Sequence, residues 1–117
     1  MASRNAAQEL TDDAFAMIAA RFRALSEPTR LKILHELDRG ELSVGEIVER
    51  THTGQANVSK HLSVLLEAGI VARRKVGLQA LYRVVDESIF QLCDTVCSSV
   101  GDRLAAQQRA VKVFRRA

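Results

Sequence analysis

Residues 53–75, TGQANVSKHLSVLLEAGIVARRK, leave few options for what this chain can fold into. At 100° per residue, Val58, Leu62, Leu65 and Leu66 fall on one side of a helix, while Ala56, Ser59, Lys60, Ser63 and Glu67 fall on the other. A helix from Gln55 to Ala68 would be about 21 Å long at 1.5 Å per residue. Gly69 is placed to end it, because glycine enters the left-handed region without a Cβ penalty. Ile70 to Val76 then reads as a strand carrying Arg73, Arg74 and Lys75. A turn over Gly77-Leu78-Gln79 and a return strand from Ala80 to Val85 complete a hairpin.

Upstream, Ser43-Val44-Gly45-Glu46 has the spacing of a capping box, predicting a short third helix to about Arg50 and a turn over THTG at 51–54. Before it, Ser26 is expected to cap a second helix with Pro28 in its first turn, Leu31, Leu34 and Leu37 as its buried face, and Gly40 as its stop. Thr11 starts a first helix striped by Phe15, Ile18, Ala19, Phe22 and Leu25. Downstream, a fifth helix from about Asp86 is striped by Ile89, Leu92, Cys93, Val96, Cys97 and Val100. One proline and six glycines in 117 residues leave little material for an all-β fold. The fold class predicted is mainly α with a β-hairpin wing, in the order α1-α2-α3-α4-β-β-α5. Residues 1–10 are expected to be a flexible N-terminus and 11–100 the folded domain. Residues 101–117 form a basic tail in which Leu104, Val111 and Phe114 give only a weak helical stripe.

A short helix, a turn and a second helix with a slim polar outer face are the pattern of a helix-turn-helix. Ala56, Ser59 and Ser63 are short enough to let the helix enter a groove; Gln55 and Lys60 are long enough to reach base edges or phosphates. Backbone N–H groups near Thr53 and Gln55 suit a phosphate. Between residues 53 and 85, Lys60, Arg73, Arg74, Lys75 and Arg83 face Glu67 alone, a local excess of +4 in a chain whose net charge is +3. That concentration predicts a polyanionic partner. Arg73, Arg74, Lys75 and Gln79 would then supply a wing that holds the backbone and fixes register. The competing reading is a protein-interaction module whose helix-turn-helix is vestigial and whose hairpin binds an acidic partner. No Ser/His/Asp constellation, phosphate-cradling glycine loop or metal-ligand spacing argues for an enzyme. His61 is expected to pack at the edge of the apolar stripe, and Arg30 to pair with a nearby carboxylate.

The stripes on the first and fifth helices exceed what one small unit covers, which predicts a homodimer with its recognition helices about 34 Å apart. The longest apolar run, residues 14–20, is too short to span a bilayer, and the start lacks the apolar core of a secretory signal. A cytoplasmic protein without a membrane partner is expected, its two cysteines present as thiols.

FRALSEPTRLKILHEL, ELSVGEI and TGQANVSKHLSVLLEAGIVARRKVGLQALYRV together resemble the ArsR/SmtB winged-helix repressors across roughly residues 20–85. The resemblance implies a homodimer on double-stranded DNA with an imperfect inverted repeat, repressing its own operon until an inducer arrives. It places the DNA readers at Gln55, Ala56, Ser59 and Lys60 and the wing at Arg73 to Gln79. Leu78 stands where the family often carries arginine. Ser43 replaces the cysteine of many soft-metal sensors. Ser88 and Ser99 replace the histidines of a fifth-helix zinc site, although Asp86 and Asp102 fall at suitable places. Cys93 and Cys97 remain, one helical turn apart. Three readings stay open: packing as small hydrophobes, reversible cysteine modification by reactive sulfur or oxidants, and capture of a thiophilic metal or metalloid. No cofactor is certain.

Overall fold

The computed structural model describes the backbone of residues 9–116 and the side chains of residues 9–109. The elements are α1 (Asp12–Leu25), α2 (Pro28–Leu37), β1 (Leu42–Ser43), α3 (Val44–Thr51), α4 (Gln55–Glu67), β2 (Val71–Val76), β3 (Gln79–Val84) and α5 (Ser88–Arg116). Residues up to Val85 form one compact unit and those from Asp86 onward another. The mainly helical fold with a wing is the one the sequence predicts. Val111 and Phe114 lie outside the described side chains, and most of the N-terminal decapeptide lies outside the described backbone.

The first unit closes over one core. Ile33 and Leu34 of α2, Ile47 of α3, Val58, Leu62 and Leu65 of α4, and Ile70 are almost completely buried, joined at the sheet by Leu42, Val71 and Tyr82. Burying each large side chain contributes about 1.5–3 kcal/mol. Leu31 is not part of this face and stays 42% exposed. Ile33 takes its place, because two residues on a helix are 200° apart and the inward arc runs through Ile33, Leu34 and Leu37.

Three helix starts are closed by their own side chains. Thr11 accepts from the Ala14 amide at 3.1 Å. Ser43 accepts from Glu46 N–H while Glu46 accepts from Ser43 N–H, a complete capping box. At α2 the cap is Glu27 rather than Ser26: its carboxylate accepts from Arg30 N–H at 3.0 Å. Pro28 sets the reason, since as first helical residue it leaves Glu27 as the extended flanking residue, and Ser26 instead donates to the Arg23 carbonyl that ends α1.

The wing belongs to a three-stranded antiparallel sheet of order β1-β3-β2. The short β1, absent from the sequence reading, pairs Leu42 with Tyr82 and Ser43 with Leu81. The hairpin turn holds two residues, Gly77 and Leu78, so Gln79 opens β3 opposite Val76 instead of lying in the turn. Gly77 has φ +63, as a two-residue turn with glycine first requires.

In the second unit, α5 runs unbroken through Gly101 to Arg116, so the basic tail continues the helix across residue 100. The Asp86 carboxylate accepts from the amide and hydroxyl of Ser88 at the helix start. Among the described residues no helix is long and apolar enough to cross a membrane.

Candidate nucleic-acid interface

The recognition helix α4 divides sharply. Val58, His61, Leu62 and Leu65 are buried, while Gln55, Ala56, Asn57, Ser59, Lys60 and Ser63 are exposed. Those six residues make no side-chain hydrogen bond or ion pair among the described residues. Asn57, missed by the sequence reading, completes a polar first turn; its flanking position, 100° from the buried Val58, was the available signal. Gly54 caps α4 without any side-chain hydrogen bond, unlike the caps of α1, α2 and α3. The first-turn amides therefore point outward unclaimed by a side chain, at the positive end of the helix dipole. Thr53, half-buried, turns its hydroxyl back to the Thr51 carbonyl at 3.3 Å, which leaves only its backbone facing that end.

The buried His61 is held from α2. Its Nδ1 lies 3.1 Å from Arg30 Nη1 and its Nε2 3.6 Å from a Glu27 carboxylate oxygen. The carboxylate expected near Arg30 is that of Glu27, on which its charge acts, while its Nε donates to the Ala24 carbonyl at 2.7 Å and its Nη2 to the Arg23 carbonyl at 3.2 Å. Both carbonyls lie at the end of α1, where a cation is favoured, and that of Arg23 also accepts from Ser26. Desolvation pushes the Glu27 carboxyl up, but the Arg30 amide, the His61 ring, the Thr29 amide and the Arg30 charge together hold it below its ordinary value.

The wing's cations are split by strand alternation. Arg73 pairs with Tyr82 and Lys75 with Ala80, so both share the face of Val71 and Tyr82. Arg74 pairs with Leu81 and takes the opposite face, as does Arg83. There Arg74 donates through Nε and Nη2 to both Glu41 oxygens at 2.8–3.1 Å, and Arg83 lies 3.8 Å away. The Arg74 hydrogen bond and the two guanidinium charges lower the Glu41 carboxyl below its usual range against a smaller desolvation. Glu41 was invisible as a wing residue because only the β1–β3 pairing brings it there. Gln79 is exposed at the start of β3, and Leu78 projects wholly into solvent at the tip.

Metal chemistry is limited by the donors present. Ser43 is buried and already occupied as the α3 cap. Among the described residues no cluster of three or more His, Cys, Asp or Glu is placed to hold an ion. Cys93 is half-buried and Cys97 exposed on α5. Burial first, then the charges of Asp94 and Cys97, push the Cys93 thiol up.

Residues 27–73 match the bacterial regulatory protein arsR family. The chain is 40% identical over 85 residues to the probable mercury resistance operon repressor of Streptomyces lividans, covering 73% of this chain and 68% of that one. It is 37% identical over 79 residues to the biofilm growth-associated repressor of Xylella fastidiosa, covering 68% and 69%. Its fold is similar to the homodimeric winged helix-turn-helix DNA-binding domain of a possible ArsR-family regulator from Mycobacterium bovis, with a TM-score of 0.72 at 29% identity over 86% of this chain and 94% of that one.

Proposed function

The chain belongs to the arsR family of bacterial regulatory proteins as a winged helix-turn-helix DNA-binding transcriptional regulator, and from that premise we propose that it is a homodimeric repressor released by an inducer. One observation carries the reading: α4 buries one side completely and leaves the other short-sided, polar and unpartnered among the described residues. In this reading Ala56, Ser59 and Ser63 admit the helix to the major groove, and Gln55 and Lys60 reach for base edges. The amides from Thr53 onward take a phosphate, and Arg73, Lys75 and Gln79 hold the backbone from the wing. Arg74 joins them only by leaving Glu41.

Dimer formation is supported by unused apolar surface in each unit. Phe15, Met17, Ile18 and Phe22 of α1 are exposed in the single chain, as are Val96, Val100 and Leu104 of α5. A second copy is the economical cover for both stripes. A two-fold pair presenting two α4 helices calls for an imperfect inverted repeat with half-sites about one turn apart. A chromosomal operator places the protein in the cytoplasm.

For release, Cys93 and Cys97 are the groups to test. Helical spacing puts their β-carbons about 5–6 Å apart on one face. A thiophilic metal or metalloid displaces the thiol proton as it binds. One reading is soft-ion capture, in which each sulfur donates to the ion and gives up its proton. The mercury-resistance name of the Streptomyces relative agrees with that chemistry. One chain offers two thiols, so a larger ligand set needs the second copy. Reversible modification is the second reading, favoured by the exposed sulfur of Cys97.

Gel shifts on the chain's own upstream region test the main reading: a salt-sensitive complex at sub-micromolar protein is expected, and its absence contradicts it. Mercuric ion or arsenite should dissolve that complex, and Cys93→Ser with Cys97→Ser should abolish release while preserving binding. Release unchanged in the double variant removes the thiols from sensing.

A further inference from the structure

The side chain of Arg30 links the recognition helix to the end of α1. Arg30, on α2, donates to the Ala24 and Arg23 carbonyls at 2.7 and 3.2 Å and reaches His61 on the buried side of α4 at 3.1 Å. A guanidinium has five donors and no acceptor, so this last contact is a hydrogen bond only when His61 Nδ1 carries a lone pair. The ring proton then sits on Nε2, which faces the Glu27 carboxylate at 3.6 Å. Glu27 is itself fixed by capping α2 through the Arg30 amide. His61 is 6% exposed, so its ring has no free choice of partner. Neither residue belongs to the outward face of α4.

We propose that Arg30 and His61 form a joint that makes the position of α4 follow the end of α1, and that they are positioning residues for operator recognition. Moving the last turn of α1 shifts the Ala24 and Arg23 carbonyls, which carries the rigid guanidinium fork and, through it, the middle of the recognition helix. α1 is the helix in this unit with the exposed apolar stripe, so pairing of two copies at that stripe is felt by α4. Random-sequence binding depends on total charge and is indifferent to small shifts of the helix; base readout is not. The joint therefore sets the preference for the operator over random DNA. The DNA-binding role proposed above underlies this last step, while the mechanical link stands apart from it.

The test uses the full chain with three variants. His61→Leu removes the acceptor and keeps apolar bulk, His61→Asn restores an acceptor at the δ position, and Arg30→Lys keeps the charge but loses the fork. Amide hydrogen exchange on the free protein reads the link. Exchange should rise together at the C-terminal turn of α1 and in the middle of α4 for His61→Leu and Arg30→Lys, and stay near wild type for His61→Asn. Affinity for a duplex the protein selects from a random pool should fall about five- to tenfold in the first two variants, and that for unselected duplex should change less than about twofold. Combining Arg30→Lys with His61→Leu should add little beyond either alone, as for two ends of one contact. Exchange rising at α4 alone, His61→Asn behaving as His61→Leu, or equal losses on both duplexes would overturn the proposal. If the wild type selects no duplex, the DNA-binding reading fails while the exchange result still decides the joint. If His61→Leu does not fold, the Arg30→Lys comparison carries the same decision.

Discussion

The recognition helix and the wing both look like DNA-binding elements in the sequence, but their charged and polar groups are in different states. On α4 the outward side chains are exposed and unengaged among the described residues, above a side packed against α2, α3 and β2. On the wing, alternation sends Arg73 and Lys75 one way and Arg74 the other, where Glu41 holds it with two oxygens. Helical periodicity gathers residues three and four apart onto one face; strand periodicity sends neighbours to opposite faces. A run of three cations on a strand is therefore two half-patches, one on each face.

The largest effect should come from removing the support beneath α4. Leu62→Ala opens a cavity in the core and should cost about 2–5 kcal/mol of stability, seen as a lower urea midpoint with loss of all DNA binding. A cost under about 1 kcal/mol would mean that α4 is not anchored by that side. Next, Gln55→Ala and Lys60→Ala should each cost about 1–3 kcal/mol on a selected duplex, with Gln55→Ala also relaxing sequence preference. Fluorescence anisotropy on selected and scrambled duplexes separates the two effects.

The wing sharpens the contrast at smaller magnitude. Arg73→Ala and Lys75→Ala should each flatten the slope of log affinity against log salt by about 0.9 per subunit, whereas Arg74→Ala should flatten it less. Glu41→Gln should steepen the slope by freeing Arg74, and should raise affinity for random duplex. Equal slopes for Arg73→Ala and Arg74→Ala would erase the division between wing faces. An exposed ion pair contributes only about 0–1 kcal/mol to folding, so thermal stability should barely move in Glu41→Gln.

The smallest effect belongs to the α3 cap, which sets the start of the helix-turn-helix. The backbone and side-chain hydrogen bonds of Ser43 lower the Glu46 carboxyl in the folded chain. A lowered carboxyl adds stability above its unfolded pKa, and that part is lost as pH falls through the folded value. The stability gap between wild type and Glu46→Gln should therefore narrow between neutral pH and acid below the carboxylate range. A constant gap in urea titrations would remove the charged form of Glu46 from the cap.

Much of the fold was legible because its signals are local. The Ser43–Glu46 box, the Thr11 cap, the α4 stripe and the Gly69 stop each act within a few residues, and all appear as read. The phase of α2 was misread because Leu31 and Ile33 are both apolar and only tertiary packing chooses between them. The Ser26 cap failed because a glutamate adjacent to Pro28 is an uncommon cap that its own reach makes possible. β1 was lost because two residues carry no alternation, and with it went Glu41, whose role depends on a pairing 33 residues away along the chain. The outward face of α4 was legible from periodicity alone, apart from Asn57. The Arg30–His61 contact spans 31 residues and no spacing rule reports it.

Dimethyl sulfate protection of a bound duplex most directly tests whether α4 enters the major groove, because guanine N7 lies there and adenine N3 lies in the minor groove. Two patches of protected guanine N7, centred about 10 base pairs apart, are the predicted result. Protection confined to adenine N3, or guanines as reactive as in free DNA beneath a bound protein, would contradict it.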